Sequence, residues 1–353
     1  MVIGTFLMFT NSCKKSDGDG PATGGKTWTK LGSLNAAVVG VYALCTDASG
    51  NVYAAENFSS GYLDTGFRDV VKWNGSSWVA LGLNANGIIR KLCSDRNGNV
   101  YAIGDFTDAN DNYYIAKWNG SNWTKIYNNI YTYSEKWMFN AFCTDANGNL
   151  YASNGDLTPQ NFFYVTKLVG SNLAQLGSLN ADWGIFALTT DVSGNLYSAG
   201  SFRNANGQYF VAKWNGSSWT SIGLNVTNDI DGLCSDGNGN VYAKGGFENS
   251  SGKRSLAKWN GISWVDIGLN ANANISTIFT DGGSNLYAVG GFSNGVRSTD
   301  GFTYVAKWNG VSWTDLGGLL GIGGGGGLYA TPDGKVYASG SNNNDGVYVA
   351  VYK

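Results

Sequence analysis

The chain contains no histidine at all. That removes the commonest general base, the usual activator of serine and cysteine nucleophiles, and the commonest metal ligand together. Charge is scarce too: 14% of residues are charged, and 23 basic against 25 acidic side chains leave a formal net charge of −2. A nucleic-acid binder needs a basic footprint, so nucleic acid is not an expected partner. No apolar run reaches the roughly 18–20 residues that would span a bilayer as a helix. Proline is rare, at 3 residues, whereas glycine reaches 52 and aromatics 14%. That composition belongs to many short strands joined by tight turns.

One pattern returns through most of the chain: an apolar strand, a D-x-x-G-N turn, V-Y-A-x-G-x-F, a variable polar loop, then A-K-W-N-G-S-x-W-x-x-L-G. Its tyrosine falls at Tyr53, Tyr101, Tyr151, Tyr197, Tyr242, Tyr287 and Tyr337, with spacings of 48, 50, 46, 45, 45 and 50 residues. A strand-only period of about 40–50 residues predicts propeller blades. The fold class is therefore all-β: a seven-bladed β-propeller of four-stranded antiparallel blades. In the second copy the strands are read as 88–94, 99–106, 113–118 and 123–126, with Asn119-Gly120 making a tight hairpin, its loop of two or four residues, in which Asn-Gly accepts positive φ. The last copy stops before its W-x-x-L-G strand, and Trp28-Thr29-Lys30-Leu31-Gly32 is an orphan copy of that strand. The N-terminal strand should thus complete the last blade and close the ring. Blade three carries Lys167-Leu168-Val169-Gly170 and Leu173 in place of the tryptophan hairpin and should pack most weakly.

The chain divides into residues 1–12, 13–26 and 27–353. The first segment is a short apolar stretch, and the second is a hydrophilic run, so they read as a signal peptide and a flexible linker. Ser12-Cys13-Lys14-Lys15 resembles the lipobox of Gram-negative bacterial lipoproteins, with Thr10 standing where that family usually has leucine. The resemblance implies acylation of Cys13 and places the propeller at the outer membrane or cell surface, bound to the membrane only through the lipid.

Cys45, Cys93, Cys143 and Cys234 share one repeat position, where other blades have Thr189, Phe279 and Tyr329. Equivalent positions in different blades exceed the Cα separation of about 7 Å that a disulfide tolerates, so these are expected to be small core residues. The aspartates Asp47, Asp95, Asp145, Asp191, Asp236 and Asp281 open the D-x-x-G turns, where a carboxylate accepts backbone N–H bonds. Asp108-Ala109-Asn110-Asp111-Asn112 alternates oxygen ligands but lacks the glycine and distal glutamate of a calcium loop. No catalytic residue, metal or cofactor is assigned.

Variation concentrates in the loops on one rim. The connection from blade two to blade three holds Tyr131, Tyr133, Glu135 and Trp137, and the next holds Asp182 and Trp183. Other loops bring Tyr62, Phe67, Arg68, Arg203, Arg254 and Arg297. Aromatic faces beside amides suit sugars and peptides, so Trp137, Trp183, Tyr131 and Tyr133 are the candidate ligand-binding residues. The alternative is that Trp137 and Trp183 fold down to cap blade three. Over residues 28–353 the K-W-N-G-S-x-W hairpin and D-x-x-G-N-V-Y-A turn resemble bacterial surface β-propeller repeat proteins and, more distantly, tectonin or tachylectin-like lectin propellers. The resemblance is specific for fold and not for activity; the leading expectation is a monomeric, lipid-anchored, non-enzymatic module binding an extracellular glycan or protein. Two other readings compete. A carboxylate-dependent glycosidase or lyase would use Glu135 and Asp182, and a structural spacer in a surface assembly would need no pocket.

Overall fold

A computed structural model describes residues 27–32, 34, 38–58, 68–126, 141–155, 163–170, 172–179, 181, 183–269, 271, 274–290, 302–320, 327–342 and 346–353. It contains seven four-stranded antiparallel sheets and no helix among the described residues. Blade two is representative, with strands Ile89–Ser94, Val100–Gly104, Ala116–Trp118 and Trp123–Lys125. Its outer strands are shorter than expected: the regular ladder stops at Ala116, followed by a bond from Ile126 N–H to the Ile115 carbonyl at 3.1 Å. The innermost strands of successive blades touch in cyclic order, the first also meeting the last. The chain is a seven-bladed β-propeller.

The motif letters have physical causes. The glycine ending V-Y-A-x-G permits a bulge with the inner strand: a Cβ on Gly104 would lie 1.9 Å from the Ile88 carbonyl oxygen. The Asn-Gly hairpin takes the longer of the two forms open to it. Trp118 and Trp123 are direct partners, so the loop holds the four residues 119–122. Asn119 Oδ1 accepts the N–H groups of Ser121 and Asn122 at 3.0 Å each. Gly120 alone takes a positive φ, of 99°; the asparagine side chain caps the loop instead of adopting the left-handed conformation.

The paired tryptophans lock blade to blade. The first and second indoles of each hairpin lie 5.4–5.6 Å apart in blades one, two, four, five and six. The second donates Nε1–H to a carbonyl on the outer edge of the preceding blade: Trp123 to Leu81 at 3.1 Å, Trp219 to Leu176 at 2.7 Å, Trp264 to Ile222 at 3.1 Å and Trp313 to Ile267 at 2.8 Å. Blade three has Leu173 at this place, so this tie to blade two is missing. The lysine before the first tryptophan lies over the V-Y-A tyrosine of its own blade, as Lys117 does over Tyr101 at 5.8 Å.

Closure follows the same rule. Trp28–Lys30 pairs with Gly346–Tyr352 as the outer strand of blade seven. Trp28 Nε1–H reaches the Leu316 carbonyl of blade six at 2.8 Å, and Trp78 of blade one reaches Leu31 at 2.6 Å. Trp28 pairs with Tyr352, at the hairpin end of its strand. The N-terminal side of Trp28 therefore lies on the face that carries the tight turns, opposite the loop-bearing face.

Candidate functional site

The ring surrounds a channel. On the turn face each aspartate is consumed by its own turn. In blade two Asp95 Oδ1 accepts the backbone N–H groups of Asn97 and Asn99, both at 2.9 Å, and Oδ2 accepts Asn99 Nδ2 at 2.7 Å and the Tyr101 hydroxyl at 2.8 Å. The same four bonds recur around Asp47, Asp145, Asp191 and Asp236. Burial and the aspartate raise the phenol pKa of Tyr101 above its ordinary value. Carboxylates with every lone-pair direction engaged are turn-builders.

A second ring sits just inside. Ser94 Oγ donates to the Thr46 carbonyl at 2.6 Å, Thr144 to Ser94 at 2.8 Å, Thr190 to Thr144 at 3.0 Å, Ser235 to Thr190 at 2.7 Å and Thr280 to Ser235 at 2.5 Å. Each inner strand thereby ties its last residue to the preceding blade. Blade seven has Ala330 at this position and breaks the sequence. At that seam Thr46 hydrogen-bonds Tyr329, whose ring packs on Phe279 at 4.3 Å.

The turn-side cavity holds about 790 Å³ and the loop-side one about 560 Å³; they share Ser94, Thr144 and Tyr329, so they meet at that level. The loop-side cavity is chemically different. Tyr42, Arg90, Phe186 and Asp231 occupy one repeat position at the start of four inner strands and line it together with Lys91 and Lys244. Arg90 is held by Asp105 through Nε at 2.7 Å and Nη2 at 2.6 Å. Lys91 extends from blade two to blade four and donates to the Phe186 carbonyl at 3.0 Å. Lys244 is 7% exposed and pairs with Asp231 Oδ1 at 2.8 Å. Burial, reinforced by Lys244 and opposed by Asp231, lowers the Lys91 pKa to about 8.

Lys244 occupies the variable position of V-Y-A-x-G, where the other blades carry Ala55, Ile103, Ser153, Ala199, Val289 and Ser339. It reaches the channel because its strand partner is Gly232. A Cβ there would lie 2.6 Å from Lys244 Cγ, so the missing side chain is the lysine's passage. Sequence reasoning overlooked Lys91, Lys244, Asp231 and Gly232. The available signal was the lone charge in column x, facing a glycine that otherwise recurs in that column only as Gly327 of blade seven.

The residues singled out from sequence fare differently. Trp183 is 64% exposed. Trp137, Tyr131, Tyr133, Glu135, Asp182, Tyr62, Phe67, Arg297 and Cys13 lie outside the described residues. Three arginines expected to meet a ligand serve the fold: Arg68 is buried at 4% exposure, Arg203 lies over Tyr209 at 4.7 Å, and Arg254 bonds the Gly246 carbonyl. Asp108 Oδ1 accepts the N–H groups of Asn110 and Asn112, so that segment is a capped turn. All four cysteines of the repeat column are free; Cys45 and Cys234 are buried, whereas Cys93 and Cys143 are only partly so.

No protein-family description matches the sequence, and no curated protein is similar to it in sequence. Solved structures share its fold at low identity. A catalytically inactive histidine-to-alanine variant of virginiamycin B lyase from Staphylococcus aureus, with quinupristin, superposes with a TM-score of 0.62 at 10% identity, covering 93% of this chain and 99% of that one. YCF48 bound to a peptide gives 0.56 at 12% identity, over 94% and 98%. A polysaccharide lyase of the ulvan lyase family, bound to a saccharide, gives 0.52 at 12% identity, over 89% and 94%. Two of these neighbours are lyases, which corrects the expectation of a chain without enzymatic activity. This architecture accommodates lyases as well as a peptide binder, so it gives no ground for that exclusion.

Proposed function

We propose that this chain is a surface-attached propeller that takes an extracellular ligand, carbohydrate or protein, through its loop-bearing face and the adjoining half of the channel. The observation that carries this reading is the Lys91, Lys244 and Asp231 group. In the variable column of V-Y-A-x-G every other blade carries an uncharged residue, and here the repeat places charge where a ligand entering between the loops would meet it. Trp183 offers an exposed flat apolar face, and Trp137, Tyr131 and Tyr133, from the connection between blades two and three, are assigned with it to the ligand. Lipid on Cys13 fits the polarity of the ring, since the N-terminal strand starts on the turn face and an anchor there leaves the loop face pointing outward. The protein acts as a monomer at the outer membrane or cell surface.

The test is a glycan and peptide array screen of the full chain beside a Trp137→Ala, Trp183→Ala variant. Selective binding that the variant loses while keeping its strand-rich circular dichroism supports the reading. An array without any selective binder refutes it. Labelling with a radioactive fatty acid, lost in Cys13→Ala, tests the attachment separately.

A further inference from the structure

Two lysines line the loop-side half of the channel, the buried Lys244 and the partly buried Lys91, together with the Asp231 carboxylate. Lys91 and Gly232 occupy the same register level in blades two and five, facing Ile103 and Lys244 respectively. Lys244, crossing over Gly232, therefore delivers its charge at the level where Lys91 lies. The two ammoniums repel each other, and Asp231 attracts both. The charges sum to about one net positive on the wall of the loop-side cavity.

Such an arrangement opposes folding. A desolvated ammonium whose hydrogen bond goes to a neutral carbonyl lacks the counter-charge that buried cations ordinarily have. Lys91 is in that position, since the Phe186 carbonyl holds it and Asp231 is already engaged by Lys244. At the place of Lys91 in the repeat, blades four, five and six carry Ala187, Gly232 and Thr277. At the place of Lys244 every other blade carries an uncharged side chain. Neutral side chains thus satisfy the same architecture elsewhere in this molecule.

We infer that Lys91 and Lys244 form an oxyanion site, which receives a monovalent carboxylate or sulfate ester of a ligand that enters from the loop face. One net positive charge matches one negative charge, whereas a phosphate monoester would bring an excess. The ammoniums donate to the oxyanion, Asp231 orients Lys244, and Phe186 and Tyr42 offer apolar surface to the atoms bearing the anion. The inference deepens the reading above and rests on its choice of face.

The experiment uses the full chain with lysine labelled by carbon-13 at the ε position, titrated with glucuronate, methyl sulfate and glucose. The expected result is a saturable shift of the Lys91 and Lys244 signals with glucuronate, methyl sulfate or both, and none with glucose. Which anion acts distinguishes carboxylate from sulfate ester. Lys91→Met should weaken the affinity, read at Lys244, by at least about tenfold, because a charge-assisted bond is lost. Asp231→Asn should tighten it by freeing Lys244. Absence of a saturable shift into the tens of millimolar overturns the site, as does an unchanged affinity in Lys91→Met. An array ligand that binds Lys91→Met as well as wild type also overturns the site while upholding the loop-face reading. Anion-induced shifts in a chain whose array shows no binder would uphold the site and overturn the broader reading.

Discussion

Replacing Tyr101 by phenylalanine removes one hydroxyl and leaves the ring in place. The lost bond runs 2.8 Å to Asp95 Oδ2, within a turn whose other three bonds remain. A hydrogen bond to a charged acceptor contributes about 1.5–3 kcal/mol, and Tyr101 is 3% exposed, so water does not replace the donor. Blade seven is an internal control because Thr331 stands in place of the aspartate. Tyr337→Phe should therefore cost less than about 1 kcal/mol. The pH dependence follows from the same bond. Tyr53, Tyr101, Tyr151, Tyr197, Tyr242 and Tyr287 all have phenol pKa values raised by burial and by their aspartates. A raised folded value means stability that is complete below the unfolded pKa near 10 and is lost as pH climbs above it. Above about pH 10 the unfolded phenols ionise before the folded ones, so each tyrosine removes stability by at most about 1.4 kcal/mol per pH unit. Urea unfolding at pH 7 and at about pH 11 measures both effects. Tyr101→Phe should be the weaker fold at neutral pH and should lose stability less steeply at alkaline pH. A Tyr101→Phe cost equal to that of Tyr337→Phe, or an unchanged alkaline slope, would refute the reasoning.

Two further outcomes are expected. Leu173→Trp should stabilise the ring by up to about 1 kcal/mol, by giving blade three the N–H donor that the other interblade joints have; the urea midpoint shows it. Lys91→Met should stabilise the fold by about 2–3 kcal/mol at pH 7, because a lysine pKa lowered to about 8 means the folded state resists the charge that the unfolded state carries freely. Wild-type stability therefore rises with pH between about 8 and 10.5 relative to the variant, and the gap closes there. Thermal melts of both proteins across that range check the sign.

The repeat makes the architecture readable from sequence, because every blade solves the same packing problem with the same letters. The orphan Trp28 strand discloses the closure for the same reason. Details that depend on two repeats at once are harder to see. The indole N–H bonds run from one copy to its neighbour, and the four-residue hairpin needs the Trp118–Trp123 register. The channel charges are hidden in the opposite way: variable loops stand out in a repeat, whereas Lys244 sits inside a motif whose other letters all serve packing. It becomes visible only when the column is aligned and Gly232 is found facing it.

Closure by the N-terminal strand also sets the order of events during synthesis. Trp28 leaves the ribosome among the first residues of the ring, yet its strand partner Tyr352 is the penultimate residue of the chain. Blades one to six can assemble in turn as they appear, each on a neighbour already present. The seventh cannot, because its outer strand is made before blade one and its other three strands only after blade six. Loop closure over such a separation is slow, so the final rate-determining act should be the capture of that strand. Until then the molecule is an open arc with two exposed edges, and a second arc could offer its own first strand to the gap.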